Sequence, residues 1–169
     1  MYLLDTPVIA ELRKARGGQA DENVTRWASG VPRQNLFISV ISLLELEASV
    51  AQLEHKDKDK SAATRTWLDE TVPRAFDGRI LNVDTAVVKK RAALPFEARH
   101  DREAVLAATA LTHGLTLATR TPSAYRFGRV KVFNPWGFTQ DAEDEDNGAD
   151  WQQVARSGPV WLKNLFLRF

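Results

Sequence analysis

Acidic side chains stand at or near the beginnings of three predicted helices in this sequence. Asp5 ends the apolar run YLL, Glu45 lies one turn into the helix after strand 36–40, and Glu103 lies near the start of helix 101–113. Because the carboxyl ends of parallel strands meet at one edge of a sheet, we expect some of these carboxylates to lie together. Clustered carboxylates repel one another, and Mg²⁺ or Mn²⁺ is the natural counter-ion for ligands that are all oxygen.

Helix beginnings also attract acids for purely structural reasons. Asp101 and Glu103 fit caps or partners of the helix dipole, and Glu45 fits a partly exposed helix residue. Asp5 is harder to explain in this way, because it directly follows a buried-type strand, where a charge needs a partner. Spacing alone therefore leaves two alternatives open, a metal site and ordinary helix capping.

The elements that must position these residues alternate between short strands and helices. Strands are predicted at 2–5, 36–40, 79–83, 115–119 and 130–136. Helices are predicted to begin near Thr6, Asp21, Ser42, Ser61, Asp84 and Asp101, and the one near Ser61 to end at Pro73. We expect Thr6 and Ser42 to be N-caps, with Pro7 at the first helical position. This alternation predicts an α/β sandwich with a mainly parallel sheet.

Composition narrows the functional classes. The chain has 169 residues, a net charge of +1 and no cysteine, which excludes disulfides, zinc–thiolate sites and cysteine nucleophiles. No apolar stretch approaches the roughly 18 residues of a membrane span, and Asp5 interrupts the first apolar run too early for a signal peptide. We therefore expect a cytoplasmic protein with no membrane partner.

The composition changes near the end of the chain. The segment 140–150 is strongly acidic, whereas 151–169 is aromatic and basic. We therefore predict one domain over 1–136, followed over 137–169 by an acidic linker and an aromatic, basic extension.

Several segments together resemble a known family. "YLLDTPVIAEL", "LFISVISLLELE", "EAVLAATALTHGLTLATR" and "VKVFNPW" are similar, in order and spacing, to PIN-domain ribonucleases, and most of all to the VapC/FitB-type toxins of type II toxin–antitoxin (plasmid stability) systems. The resemblance implies a PIN-like α/β/α sandwich, an acidic rim that binds Mg²⁺ or Mn²⁺, and hydrolysis of RNA phosphodiester bonds. It also implies a small antitoxin partner and a homodimer, for which helices 43–53 and 61–72 are candidate surfaces.

The resemblance assigns roles by position. Asp5, Glu45 and Glu103 match the catalytic acids, and Asp5 and Glu103 are the expected metal ligands. Apart from this match, we expect Thr6, Arg120 and Thr121 to contact the substrate, and a plain helix cap is the alternative role of Thr6. Glu103 stands where the family usually has Asp. Thr121 and Ala124 stand where it often has further polar or acidic groups.

These departures support an alternative function. A PIN fold with an incomplete acidic site could act as an RNA- or protein-binding module rather than as a metal-dependent endoribonuclease. A third class, the response-regulator type of α/β fold, also clusters acids at strand ends. It needs a phospho-acceptor Asp with a Lys after a later strand, and the sequence shows no such pair in place.

Overall fold

The computed structural model describes residues 1–95, 101–126 and 129–139, and it contains one five-stranded sheet. All strand pairings are parallel, and the strands run in the order β3-β2-β1-β4-β5. The strands are β1 (Tyr2–Leu4), β2 (Leu36–Ser39), β3 (Ile80–Leu81), β4 (Thr116–Ala118) and β5 (Val132–Phe133). The described helices are α1 (Thr6–Lys14), α2 (Glu22–Gly30), α3 (Val40–Glu54), α4 (Lys58–Thr66), α5 (Val72–Ala75), α6 (Thr85–Ala92) and α7 (Asp101–Thr112). The predicted parallel α/β sandwich is confirmed.

The central strand β1 is buried on both faces of the sheet. Leu4 belongs to a core cluster that includes Val8 of α1 and Val24 of α2. Leu3 belongs to a second cluster with Leu106 of α7. A strand that is covered on both faces needs apolar residues at successive positions, which explains the run YLL at the start of the chain.

The strand register places the carboxyl ends of β1, β2 and β4 side by side. Leu4 pairs with Ile38 on one side and with Ala118 on the other. The next residues along these three strands are therefore neighbours at one edge of the sheet: Asp5, Ser39 and Thr119. The backbone N–H of Asp5 also donates to the carbonyl of Ala118 at 3.0 Å, which fixes Asp5 at the end of the ladder.

The predicted N-cap Thr6 is wrong by one residue. Thr6 is the first helical residue of α1, and the side chain of Asp5 caps the helix by accepting from the Thr6 N–H at 2.8 Å. Pro7 is consequently the second helical residue. The helix begins directly at the strand end, so the last extended residue, which keeps β-region dihedral angles, supplies the capping oxygen.

The predicted N-cap Ser42 is wrong for the same reason. Ser39, the last residue of β2, caps α3 by accepting from the Ile41 N–H at 3.2 Å. Ser42 is buried inside the helix and donates to the carbonyl of Leu4 at 3.3 Å, so it ties α3 to the central strand. The helices predicted to begin near Asp21 and Asp84 are confirmed, and each of these aspartates is the N-cap of its helix.

The helix predicted near Ser61 is a longer, interrupted element. It begins at Lys58 and passes through a π-helical turn at Trp67–Thr71 into α5, so it continues beyond Pro73 instead of ending there. Proline has no N–H to donate, and the wider turn just before it accommodates this missing bond without ending the helix.

The described chain ends shortly after β5, which pairs with β4 at the edge of the sheet. Residues 140–169, which include the acidic and the aromatic, basic segments, lie outside the described residues. The division of the chain at residue 136 therefore stays a prediction. Within the described ranges, no helix is both long and apolar enough to cross a membrane.

Candidate active site

Asp5 is the most buried acid at the candidate site, with 3% of its surface exposed. Its Oδ1 accepts from the N–H of Thr6 at 2.8 Å, and its Oδ2 accepts from Thr119 Oγ1 at 2.7 Å. The Tyr125 hydroxyl lies 3.4 Å from the same Oδ2. A buried carboxylate is stable only with donors of this kind, and the N-terminus of α1 adds a favourable dipole. These contacts hold Asp5 in one orientation.

Glu45 reaches the same place from α3. The Thr6 hydroxyl donates to Oε2 of Glu45. Thr6 therefore contacts two of the acids, Asp5 through its N–H and Glu45 through its hydroxyl. Since α1 follows β1 directly, this threonine is positioned by the same strand end that positions Asp5.

Glu103 is the third acid and lies in the first turn of α7. Its Oε1 lies 3.2 Å from a terminal nitrogen of Arg102, the preceding residue. Because Arg102 also contacts Asp5 and Glu45, Glu103 lies at the same edge of the sheet as these two acids.

One guanidinium joins the three acids. The Nε of Arg102 donates to Oε1 of Glu45, and one terminal nitrogen contacts Asp5 Oδ1 at 2.5 Å and Glu45 Oε2 at 2.8 Å. The other terminal nitrogen lies 3.2 Å from Glu103 Oε1 and 3.3 Å from the Tyr125 hydroxyl. These five contacts match the five N–H donors that a guanidinium carries. We call Asp5, Glu45, Glu103 and Arg102 the acidic cluster.

Burial and charge in the acidic cluster change two pKa values. Burial alone would lower the pKa of Arg102, but hydrogen bonding to Glu45 and the charge of Asp5 raise it above the usual range of arginine. Burial raises the pKa of Tyr125, and the charge of Asp5 raises it further. Arg102 is therefore a permanent cation here, and Tyr125 is a neutral hydrogen-bond donor.

The donor chemistry of the acidic cluster fits a hard divalent cation. Three carboxylates from separate elements contact different nitrogens of one guanidinium, that of Arg102. In the described ranges, no set of three or more acidic or histidine side chains is arranged so that it could hold a metal ion. The ligand types for Mg²⁺ or Mn²⁺ are thus present, and their oxygens contact Arg102.

The predicted substrate contacts lie in different places. Thr6 is part of the site through its bond to Glu45. Thr121 is exposed, and its N–H donates to Thr119 Oγ1 at 3.2 Å, next to the site. Arg120 is exposed, and its guanidinium carbon lies 5.2 Å from the centroid of the Trp136 ring, with no bond to the acids. Only Thr6 contacts an acid of the cluster directly.

Ala124 supplies no ligand and packs against the apolar cluster that contains Leu3. Its neighbour Tyr125, in the same short 3₁₀ turn, turns its hydroxyl to Asp5 instead. A neutral phenol therefore contacts the site in the region where the family resemblance placed a further acid.

Sequence reasoning missed three residues of this site: Arg102, Thr119 and Tyr125. A signal existed for Thr119, because it ends a predicted strand on the same edge as Asp5. A signal also existed for Arg102, because a cation in the first turn of a helix opposes the helix dipole and needs a separate reason. Tyr125 carried no signal, because its approach depends on how the 3₁₀ turn packs.

Comparison with known proteins yields a consistent set of relatives. The PIN domain family model matches residues 2–129. The chain is 34% identical to Toxin FitB of Neisseria gonorrhoeae over 142 residues, which cover 80% of this chain and 99% of that protein. It is 30% identical to VapC ribonuclease Y4jK of Sinorhizobium fredii, over 80% of this chain and 98% of that protein. PIN-domain ribonucleases are generally dependent on divalent metals.

The fold gives the same result. The structure of FitAcB from Neisseria gonorrhoeae superposes with a TM-score of 0.71 at 31% identity, and the match covers 82% of this chain and all of that one. The five-stranded parallel sheet, the matched range and the nearly complete coverage of the relatives agree. The chain therefore belongs to the PIN-domain family.

Proposed function

We propose that the chain is a metal-dependent endoribonuclease that acts as the toxin of a toxin–antitoxin pair. The observation that carries this proposal is the meeting of Asp5, Glu45 and Glu103, from three separate elements, around one cationic group. Relatives of similar length are named a toxin and a ribonuclease. These names favour an enzyme over the alternative of a weakened PIN fold that only binds RNA or protein.

Asp5 and Glu103 are the proposed ligands of Mg²⁺ or Mn²⁺, with Glu45 as the third acid. The bound cation would supply a water of lowered pKa and would neutralise charge on the reacting phosphate. The chain itself orients the ligands. Thr119 and the N–H of Thr6 fix Asp5, and the Thr6 hydroxyl directs Glu45. Hydrogen bonds of this kind, from residues that do not touch the metal, keep metal ligands in the orientation that binding requires.

RNA contacts are proposed at residues on the rim of the acidic cluster. Thr6 lies inside the site, while Thr121 and Arg120 are exposed beyond the end of β4. A guanidinium at this position suits a phosphate of the RNA backbone, because backbone contacts position a strand without reading its sequence.

Two protein partners belong to the proposal. The first is a small antitoxin, which is supported by the relative named Toxin FitB. The second is another copy of the chain, because α3 presents Leu44 as an exposed large apolar residue. Both remain predictions that copurification and light scattering can test.

The test compares Asp5→Asn with Asp84→Asn on a mixed RNA pool, in Mg²⁺, Mn²⁺ or EDTA. Both aspartates cap the N-terminus of a helix, and asparagine preserves a cap, so the effect on helix capping is matched between the two variants. We expect wild type and Asp84→Asn to cleave RNA only with metal. Asp5→Asn should lose about a hundredfold or more in rate.

Each outcome distinguishes the two candidate functions. Cleavage that needs both metal and Asp5 supports the nuclease, and the more effective cation identifies the cofactor. RNA binding without cleavage in wild type supports the binding module. Full cleavage by Asp5→Asn would show that the acidic cluster is not the active site.

A further inference from the structure

Arg102 contacts the oxygens that a metal would need. Its guanidinium touches Asp5 Oδ1 at 2.5 Å, both oxygens of Glu45, and Glu103 Oε1 at 3.2 Å. Mg²⁺ demands oxygens at about 2.0–2.1 Å in near-octahedral geometry. A cation at the centre of these oxygens and a guanidinium at the same centre exclude each other.

Arg102 is the movable member of the acidic cluster. Its side chain is 28% exposed, whereas Asp5 is buried and held by the N–H of Thr6 and the hydroxyl of Thr119 as well. An arginine side chain is long and flexible, so it can move from this position into solvent while the acids stay in place.

The charge balance makes this exchange feasible. Three carboxylates face one guanidinium, so the acidic cluster keeps an excess of negative charge with Arg102 bound. Arg102 also lies in the first turn of α7, where the helix dipole repels a cation. The carboxylates are therefore what holds Arg102 in place, and a divalent cation that neutralises them removes that attraction.

We propose that Arg102 is the resident counter-ion of the acidic cluster, and that a divalent cation binds only when this guanidinium leaves. Arg102 then sets the metal affinity of the site, because the apparent affinity is reduced by the fraction of molecules in which Arg102 occupies the site. This proposal rests on the metal-dependent function proposed above.

The first test measures Mn²⁺ binding by isothermal titration calorimetry for wild type, Arg102→Gln, Arg102→Lys and Arg65→Gln. Arg65 is the matched control, because it also pairs with three carboxylates that are partly or fully exposed: Glu47 and Glu54 of α3, and Asp69 of the π-helical turn. We expect Arg102→Gln to bind Mn²⁺ about tenfold more tightly than wild type or more. Arg102→Lys should lie between them, and Arg65→Gln should match wild type.

A second measurement uses the wild-type protein and so does not depend on a variant that folds. The Nε–H signal of Arg102 in a ¹⁵N nuclear magnetic resonance spectrum is assigned by its loss in Arg102→Lys, or by through-bond connectivity if that variant does not fold. On Mg²⁺ addition we expect this signal to move to the position of exposed arginines, while the Arg65 signal stays in place. An unmoved Arg102 signal in the presence of saturating Mg²⁺ would overturn the proposal.

Failure of this proposal and failure of the proposed function give different results. Equal or weaker Mn²⁺ binding by Arg102→Gln, together with cleavage that requires Asp5, removes the role of Arg102 and leaves the nuclease standing. Tighter Mn²⁺ binding without cleavage in any variant supports the role of Arg102 and removes the nuclease.

Discussion

Two arginines of this protein each meet three carboxylates, in two very different surroundings. Arg102 joins acids from the end of β1, from α3 and from α7 at the candidate active site. Arg65 lies 2.5 Å from Glu47, 3.2 Å from Glu54 and 3.6 Å from Asp69. Counted as ion pairs, the two groups look alike.

Their environments differ in burial and in the number of additional partners. Glu47 and Asp69 have side chains that are 48% and 51% exposed, so water and salt screen their attraction to Arg65. Asp5 is buried and bonded to neighbours other than the arginine. The same helix α3 supplies Glu45, whose side chain is 31% exposed, to the acidic cluster and Glu47 to the acids around Arg65. The two groups have the same number of charges, so what distinguishes the candidate site from the surface network is the burial of Asp5 and its hydrogen bonds to neighbours other than the arginine.

The largest expected difference concerns activity. Glu45→Gln should lower the rate of metal-dependent RNA cleavage by about a hundredfold, because it removes a charged oxygen from the proposed metal site. Glu47→Gln, two residues further along α3, should leave the rate within about twofold of wild type. Initial rates on one fluorescent RNA substrate measure both. Equal losses of cleavage rate in Glu45→Gln and Glu47→Gln would show that the acids around Arg102 and those around Arg65 do not differ in their role in catalysis.

The next difference concerns stability in the absence of metal. Arg102→Gln leaves three carboxylates near one another without a cation. We therefore expect the free energy of unfolding to fall by about 2 kcal/mol. This is less than the loss expected for a fully buried ion pair, because Arg102 is partly exposed. Arg65→Gln should cause no measurable change. Urea denaturation in EDTA at low ionic strength measures both variants. A stable Arg102→Gln variant would mean that the acids do not repel one another as their closeness suggests.

The smallest expected difference is in how stability depends on pH, and it concerns only Tyr125, which lies beside Asp5 of the acidic cluster. Burial and the charge of Asp5 raise the pKa of Tyr125, so the folded protein holds the phenol proton more tightly than the unfolded chain. The contribution of Tyr125 to stability is therefore constant below about pH 10 and is lost as the pH rises above that value. In Tyr125→Phe, the free energy of unfolding should therefore fall less steeply above about pH 10 than it does in wild type.

The difference in tyrosinate absorbance between wild type and Tyr125→Phe isolates the titration of Tyr125. We expect it to begin only above about pH 10. Ionisation of Tyr125 below that pH in the folded protein would show that its hydroxyl is not enclosed beside Asp5.

The sequence allowed the fold to be predicted, because local patterns determine most of it. The run YLL predicted a buried strand, and "LFISV" and "LTLAT" predicted the two strands that pair with it in the structure. The N-caps at Thr6 and Ser42 were wrong by one and three residues, because each helix begins directly where its strand ends. Sequence patterns mark that a strand passes into a helix more reliably than they mark the residue at which it does so.

The candidate site could be predicted only in part. Asp5, Glu45 and Glu103 could be selected because strand ends and family positions bring acids to one edge. Arg102 could not be placed, because the direction of a long side chain depends on the charges that it meets in three dimensions. Tyr125 could not be placed either, since it follows a short turn whose packing no local pattern specifies.

The central position of β1 has a consequence for the order in which the protein is made. Of the five described strands, the middle strand of the sheet is made before the other four, and its partner β4 is made more than a hundred residues later. Asp5 gains its contact with Thr119 only after that strand has been translated. A nascent chain therefore lacks an assembled acidic cluster at least until Glu103 has been made, and a chain that ends before Glu103 never completes one.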